Sequence, residues 1–169
     1  MNSKFDQIFQ RNAKQIFPAL DWKKFKAQGM VESNLQLFAI SGPGAIGIMQ
    51  IMPETGREMG FSPKDLENPE KNIAAGILYM KKMFHYWKHI NDKCERWKFA
   101  LASYNAGIGN IKAAFNRSRR SDYEYDIWSC VSPFLSKITG RHAKETINYV
   151  ARIIKKYKQL KSYEIQQRR

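Results

Sequence analysis

Apolar side chains recur at every third or fourth position in three stretches of this 169-residue chain. The longest stretch runs from Pro69 to Ile90, and its apolar face consists of Ile73, Ile77, Met80, Phe84 and Trp87. Similar spacing is found through Phe5, Ile8, Phe9 and Phe17, and through Ile147, Val150, Ile154 and Tyr157. This period is that of an amphipathic helix, whereas alternating strand patterns are scarce. We therefore predict a mainly α fold.

Turn-forming residues separate the helical stretches, but none of these turns is long enough to be a linker between domains. The length suits one domain with one buried core, so we predict a single domain over residues 1–169. Asn68 is expected to cap a helix that begins at Pro69. Residues 116–141 have poor periodicity and predict irregular chain or short helical pieces.

The composition limits where the protein can act and what it can bind, but it does not identify the partner. No run approaches the roughly 20 apolar residues that span a bilayer, and residues 1–7 lack the apolar core of a signal peptide. We therefore expect no integral membrane segment and export by another route. The formal net charge of +14 should attract polyanions such as nucleic acid, anionic membrane or cell wall, and its sign alone does not choose among them. Cys94 and Cys130 are expected to be reduced thiols.

Glu32 is a candidate acid because its neighbours are apolar. It follows Gly29-Met30-Val31, near the end of a helix predicted to begin close to Asp21. Partial burial disfavours the carboxylate anion and is expected to raise the pKa of Glu32, which suits an acid that protonates a leaving oxygen. By itself such a glutamate is more often an ordinary exposed helix residue.

A glycine-rich segment follows from Ser41 to Thr55. Its three glycines between positions 42 and 47 allow backbone to approach a ligand closely, although a tight loop would need them too. We expect a following helix to present Gln50 from its first turns, where its amide can both donate to and accept from sugar hydroxyls. No phosphate-binding motif is present, because no Gly-Lys-Ser/Thr ending occurs.

Tyr104 and Asn105 precede Gly107 at the predicted end of another helix. Glycine there is typical of a helix terminus. An aromatic ring beside an amide is also suited to carbohydrate, because the ring packs on a sugar face while the amide binds hydroxyls.

Four segments in order resemble the motifs of the soluble lytic transglycosylase family. They are Glu32-Ser33 with Ser41 nine positions after the glutamate, Gly44-Ala45-Ile46-Gly47-Ile48-Met49-Gln50-Ile51-Met52-Pro53, Ala102-Ser103-Tyr104-Asn105-Ala106-Gly107, and Glu145-Thr146 with Tyr149-Val150. The resemblance covers about residues 20 to 160 and implies a single lysozyme-like, goose-type helical domain with a glycan-binding cleft. It departs from the family at Leu35-Gln36-Leu37, where an aromatic-Asn-Pro is common, and at Ile48, where leucine is usual.

The resemblance implies a role for each matching residue. Glu32 would be the catalytic acid/base, and the residues implied to bind substrate are Ser41, Gln50, Met52, Tyr104, Asn105, Glu145 and Tyr149. The substrate implied is the peptidoglycan glycan strand, cleaved between N-acetylmuramic acid and N-acetylglucosamine to give 1,6-anhydromuramoyl products. No cofactor or metal is implied. His85 and His89 have the spacing of a two-histidine metal face but no third ligand, so we expect no metal site there.

Two alternatives stay open. A goose-type lysozyme would hydrolyse the same bond with a water positioned by Asp21, Glu54 or Glu145. A non-catalytic binder of cell wall or nucleic acid would fit the charge but not the uncharged sugar-binding groups, so no nucleic-acid partner is expected. We predict a monomer, and a bacteriophage origin as an endolysin or virion component that acts on the host cell wall. An enzyme associated with a secretion system is the other possible setting.

Overall fold

The computed structural model describes residues 4–121 and 126–167. These residues form α-helices joined by short 3-10 turns, with two isolated β-bridges and no strand within the described ranges. The α-helices are α1 (Asp6–Ile16), α2 (Trp22–Glu32), α3 (Pro53–Glu58), α4 (Pro69–Tyr86), α5 (Lys93–Ala106), α6 (Ile108–Arg119), α7 (Trp128–Val131), α8 (Ser136–Thr139) and α9 (Ala143–Gln167). The mainly α prediction is confirmed. None of the described helices is long and apolar enough to cross a membrane.

The chain forms two compact units. The first contains the chain up to Lys81 together with the chain from Arg152 onward, and the second contains Lys82–Ala151. The prediction of one domain stays a prediction. Within the described residues of the predicted irregular segment, α6 continues to Arg119, and short helical pieces occupy the chain after Trp128, as expected.

The first unit packs α1 against α2 through the aromatic stripe that the sequence pattern predicts. Phe9 and Phe25 are fully buried, and the ring of Phe25 lies 6.1 Å from that of Phe17. Lys26 is also buried, with only 2% of its side chain exposed, and its ammonium lies 2.7 Å from a carboxylate oxygen of Asp6. A buried ammonium is tolerated here because this carboxylate compensates its charge.

The second unit is built around a cluster of aromatic rings. Trp87 lies 5.0 Å from Phe99 and 5.2 Å from Phe115, and Phe99 lies 5.5 Å from Trp128. The indole N–H of Trp87 donates to Ser103 Oγ at 2.8 Å, so its one polar group is satisfied in the core. The backbone N–H of Trp128 donates to the carboxylate of Glu95, which stabilises the start of α7.

Helix α4 begins as predicted but ends earlier than the predicted stretch. The Asn68 side chain accepts from the N–H groups of Glu70 and Lys71 at the start of the helix. The α-helix ends at Tyr86, not Ile90, because the chain turns there, with Lys88 N–H donating to His85 and Ile90 N–H to Trp87. Trp87 therefore lies in a turn, and its side chain is buried in the aromatic cluster.

The buried Lys26–Asp6 pair should matter more than an exposed one. We expect Lys26→Met to lower the free energy of unfolding by about 3 kcal/mol, because Asp6 is left poorly solvated without its partner. The control is Arg11→Met, which removes an ion pair to Glu70 with both side chains about half exposed and should cost less than about 1 kcal/mol. Urea unfolding followed by circular dichroism measures both. Equal losses in the two variants would contradict the assigned role of burial.

Candidate functional site

Glu32 is the last residue of α2, as the sequence predicts. The helix begins where the Asp21 carboxylate accepts from the N–H of Lys23 at 3.0 Å. It ends at Ser33, whose N–H donates to the carbonyl of Gly29 at 3.1 Å. Glu32 itself is half-buried.

Ser33 connects this helix end to the glycine-rich segment. Its hydroxyl donates to the carbonyl of Ile48 at 2.9 Å and accepts from the N–H of Gln36 at 3.1 Å. Asn34 and Leu35 both have positive φ, 55° and 61°, so the chain reverses sharply after the Glu32-Ser33 pair. This is where the sequence departs from the family's aromatic-Asn-Pro pattern.

Gly29 allows Leu35 and Ile48 to pack close to α2. A Cβ at position 29 would lie 3.1 Å from a methyl carbon of Leu35, 3.2 Å from Ile48 Cγ2 and 3.2 Å from the ring of Phe9. These separations are tight for a side chain but suit a glycine. The backbone that carries Glu32 is therefore held by apolar packing as well as by the Ser33 hydrogen bond.

Residues 39–52 form a compact loop, here termed the glycine loop. Ile46 pairs with both Ile40 and Ile51 in isolated β-bridges, and Gly47 N–H donates to the carbonyl of Ala39 at 2.8 Å. Ser41 Oγ accepts from the N–H of Ala45 at 2.9 Å, which closes the turn that contains Gly42 and Gly44. One lone pair of the Ser41 hydroxyl is thus used by the loop, and its proton and second lone pair can be offered to a ligand.

Gln50 lies in a turn of the glycine loop and not in the first turns of a helix, so that prediction is wrong. Its backbone has φ of 47°, its N–H donates to Gly47, and the next residue pairs with Ile46. Helix α3 begins only at Pro53, because proline suits the first helical position. For a residue other than glycine, this left-handed conformation costs about 1 kcal/mol, which the surrounding contacts must offset.

The side chain of Gln50 also holds the loop. Its amide nitrogen donates to the carbonyls of Gly47 at 2.9 Å and Ala39 at 3.2 Å. Both donor hydrogens are therefore used within the protein. Gln50 was expected to donate to sugar as well as accept from it, but this geometry leaves its amide oxygen as the group for a ligand.

Asn72 is a residue that the sequence analysis missed. It is 1% exposed on α4, accepts from Met49 N–H at 2.8 Å, and donates to the carbonyls of Ile46 at 2.8 Å and Leu66 at 2.9 Å. Gly47 makes this approach possible, because a Cβ there would lie 2.4 Å from the Asn72 amide nitrogen. Asn72 lies about 100° around the helix from Ile73 and thus off the predicted apolar face, so the spacing of apolar residues gave no signal for it.

Gly76, one turn further along α4, lies against the same loop. A Cβ at this position would come within 2.6 Å of the Met49 Cβ. Met49 and Ile48 are fully buried, so the loop is anchored by apolar side chains as well as by Asn72. Met52, the predicted cleft-wall residue, is half-buried immediately before α3.

The second unit carries Tyr104 and Asn105 in the last turn of α5. That helix begins where the Asp92 carboxylate accepts from the N–H groups of Cys94 and Glu95, at 2.7 and 2.8 Å. The hydrogen bonds from Glu95 and Cys94 hold the pKa of Asp92 below its ordinary value. The helix ends at Gly107, which has φ of 82°. The predicted helix end is therefore confirmed.

Asn105 is oriented by Thr146, the residue after Glu145. The buried Thr146 hydroxyl donates to the Asn105 side-chain oxygen at 2.8 Å. The Asn105 amide hydrogens are then the groups that a ligand can use. Asn105, Thr146 and the exposed Glu145 line a hollow of about 410 Å³ together with Asn110 and His142.

The predicted site residues thus fall into two sets. Glu32, Ser41, Gln50 and Met52 belong to the first unit, and Tyr104, Asn105, Glu145 and Tyr149 belong to the second. Tyr149 is only 6% exposed, so most of its ring is packed in the protein. No group of three or more His, Cys, Asp or Glu side chains suited to a metal occurs in the ranges 4–121 and 126–167.

Comparisons with known proteins agree on one family. Residues 9–127 match the Transglycosylase SLT domain. The membrane-bound lytic murein transglycosylase F of Desulfosudis oleivorans is 32% identical over 83% of this chain and 33% of its own length. The protein of the same name from Photobacterium profundum is 26% identical over 95% of this chain and 32% of its own length. The chain therefore spans about a third of these relatives.

Solved structures show the same fold. An inactive mutant of the lytic transglycosylase Slt from Pseudomonas aeruginosa has a TM-score of 0.68 and 26% identity, over 91% of this chain and 23% of that one. The 70-kDa soluble lytic transglycosylase in complex with bulgecin A has a TM-score of 0.76 and 22% identity, over 95% of this chain and 24% of that one. The chain thus has the helical, lysozyme-like fold of the lytic transglycosylases.

Asn72 should stabilise the glycine loop more than its exposed neighbour Asn68 stabilises α4. We expect Asn72→Ala to lower the free energy of unfolding by about 3 kcal/mol, because three buried backbone groups lose their partner. Asn68→Ala removes only an exposed helix cap and should cost about 1 kcal/mol. Chemical denaturation measures the difference. Hydrogen exchange of the Met49 amide should accelerate in Asn72→Ala alone, and unchanged exchange there would contradict the assignment.

Proposed function

The chain belongs to the transglycosylase SLT family, and we propose from this that it is a peptidoglycan lytic transglycosylase. Its substrate in this proposal is the β-1,4 bond between N-acetylmuramic acid and N-acetylglucosamine in glycan strands. The match to the family over residues 9–127 and the fold shared with Slt support this activity.

The catalytic acid/base in this proposal is Glu32. The observation that carries it is the position of Glu32 as the half-buried last residue of α2, with Ser33 bonded to the carbonyl of Ile48 in the glycine loop. A carboxyl that moves protons must be held in a fixed position relative to the reacting oxygen. The raised pKa expected for Glu32 remains part of the proposal.

The reaction proceeds in two steps, both of which use the same carboxyl group. Protonated Glu32 gives its proton to the bridging oxygen, and the bond from that oxygen to the muramoyl C1 breaks while the 2-acetamido group assists. The carboxylate of Glu32 then takes the proton of the muramoyl C6 hydroxyl, whose oxygen closes on C1. The product is a 1,6-anhydro sugar, and no water is consumed.

Donors and acceptors that are not used in hydrogen bonds within the protein suggest how the sugar is held. In the first unit these groups are the proton and second lone pair of the Ser41 hydroxyl and the Gln50 amide oxygen, since their other groups are used within the glycine loop. In the second unit they are the amide hydrogens of Asn105, whose oxygen is engaged by Thr146. We propose that these groups bind sugar hydroxyls and acetamides.

The remaining predicted substrate residues keep proposed roles. The ring of Tyr104 at the end of α5 would pack on a sugar face, and the thioether of Met52 would give apolar contact. Glu145 is exposed in the first turn of α9 and could accept from a hydroxyl. Tyr149 is nearly buried, so we assign it to shaping the site more than to direct contact.

Hydrolysis by a second acid has less support. Asp21 caps the first turn of α2 while Glu32 ends it, so the helix rise separates their Cα atoms by about 16 Å, beyond the carboxyl spacing of glycosidases. Asp21 also accepts from Tyr157 and lies near Lys161. Glu54 is 76% exposed and faces Arg57 at 3.7 Å. Whether Glu145 positions a water for hydrolysis is decided by analysis of the products.

The setting is a separate proposal. We propose a monomeric bacteriophage enzyme, either an endolysin that acts at host lysis or a virion component that opens the wall during entry. The charge of +14 supports attraction to the anionic cell wall, although it is equally compatible with a role in solubility alone. Mass spectrometry of purified virions tests the virion route. Light scattering after gel filtration tests the monomer.

The decisive experiment is product analysis with Glu32→Gln. We expect the wild type to release muropeptides one water lighter than hydrolysis products, and Glu32→Gln to lose at least about a thousandfold in rate, because no proton reaches the leaving oxygen. Mass spectrometry of material released from purified peptidoglycan reads this directly. The matched control is Glu54→Gln, an exposed acid of the same unit, which should keep its rate.

The other outcomes are also defined. Hydrated reducing ends that depend on Glu32 would make the chain a goose-type lysozyme. Binding to cell wall without any release that depends on Glu32 would make it a binding protein.

Ser33 should position Glu32 without taking part in the reaction. We expect Ser33→Ala to lower kcat roughly tenfold with little change in KM, because the tether to Ile48 is lost while the sugar-binding groups stay. Ser136→Ala is the control, since that hydroxyl makes a similar bond to the Pro133 carbonyl on an exposed turn. A rise in KM with unchanged kcat would contradict a positioning role.

A further inference from the structure

The second unit has a larger hollow than the one lined by Asn105. Its volume is about 590 Å³, and it is lined by Tyr86, Trp87, His89, Lys112, Phe115, Asn116, Arg119 and Asp126. None of these residues belongs to the motifs that indicate the transglycosylase family. The hollow therefore has no role in the proposed reaction.

The base of this hollow is aromatic. His89 lies 5.3 Å from Phe115 and 5.6 Å from Trp87, and Tyr86 lies edge-on to Trp87 at 5.2 Å. Trp87 and Phe115 are buried, whereas Tyr86 and His89 remain exposed. Exposed rings fixed on a packed core give an apolar surface that loses little freedom when a ligand binds.

The rim carries charges of both signs. Lys112, Asn116 and Arg119 recur at steps of four and three, so they share one face of α6. Lys112 is exposed and has no carboxylate partner among the residues that the structure describes. Asp126 adds an exposed carboxylate. The rim can thus bind a carboxylate through Lys112 and an ammonium through Asp126, with Arg119 as a second positive charge and the Asn116 amide available for a peptide group.

We propose that this hollow binds the stem peptide of peptidoglycan. Stem peptides carry free carboxylates, an amine on their diamino acid and small methyl side chains, which match the two cations, the carboxylate and the aromatic base. A neutral glycan offers no charge for Lys112 and Arg119, strands stripped by an amidase keep the lactyl carboxylate but no ammonium for Asp126, and a phosphate polymer offers none for Asp126 either. This proposal rests on the proposed function, because it concerns the same polymer.

Binding is measured apart from catalysis. The probe is the tetrapeptide L-Ala–γ-D-Glu–diaminopimelate–D-Ala, titrated into the full chain with Glu32→Gln by calorimetry at low and moderate salt. We expect Lys112→Ser to weaken binding roughly fivefold, and Tyr86→Ala by a similar factor, as for loss of one charge-assisted bond or one aromatic contact. The matched control is Arg117→Ser, which removes an exposed charge from α6 outside the hollow and should leave the affinity unchanged.

The cleavage assay then separates this proposal from the proposed function. With Glu32 restored, Lys112→Ser should raise KM for intact glycan strands but not for strands from which an amidase has removed the peptides. Equal affinities of Lys112→Ser and Arg117→Ser for the tetrapeptide would overturn the stem-peptide site, as would tetrapeptide binding too weak to measure in the chain with Glu32→Gln alone. Failure of the wild type to cleave intact as well as stripped strands would instead count against the transglycosylase activity.

Discussion

One buried amide, the side chain of Asn72, links the glycine loop to the helical framework. It accepts from Met49 and donates to Ile46 and Leu66, so three backbone groups that water cannot reach are satisfied by a single residue. The loop contains only isolated bridges, and a regular ladder is not available to satisfy these groups. The position of the Ile48 carbonyl, and through Ser33 the end of α2 that carries Glu32, depends on this anchoring.

The same hydrogen bonds that hold the loop decide what it can offer to a ligand. Gln50 donates both amide hydrogens to the carbonyls of Gly47 and Ala39, and the Ser41 hydroxyl oxygen accepts from the N–H of Ala45. In the second unit, Thr146 similarly engages the oxygen of Asn105. These hydrogen bonds hold each side chain in one orientation, which lowers the entropy lost when a sugar binds.

The hydrogen-bond partners of the acidic residues distinguish those that stabilise the fold from Glu32, the proposed catalytic acid. Asp21 and Asp92 cap helices, and the pKa of Asp92 is lowered by the hydrogen bonds of that role. Asp65 likewise has a pKa below its ordinary value, because Lys71 and Ser62 donate to it. Asp65 and Asp92 therefore stay ionised, which suits stability but not proton donation. Glu32 differs in standing half-buried at a helix end beside the loop.

The sequence by itself determined the helical fold, some of the helix ends and the identity of the candidate acid. Local rules suffice for these features: apolar spacing predicts α4 and α9, Asn68 and Asp21 cap their helices, Gly107 ends α5, and the order of motifs singles out Glu32. The tertiary structure alone decided that Gln50 lies in a left-handed turn and that Asn72 anchors the loop. Asn72 reaches backbone groups 23 and 26 positions away, and the Gln50 turn depends on the carbonyl of Ala39 and on the pairing of Ile46 with Ile51. Spacing along a chain carries no information about which backbone groups outside a helix must be satisfied.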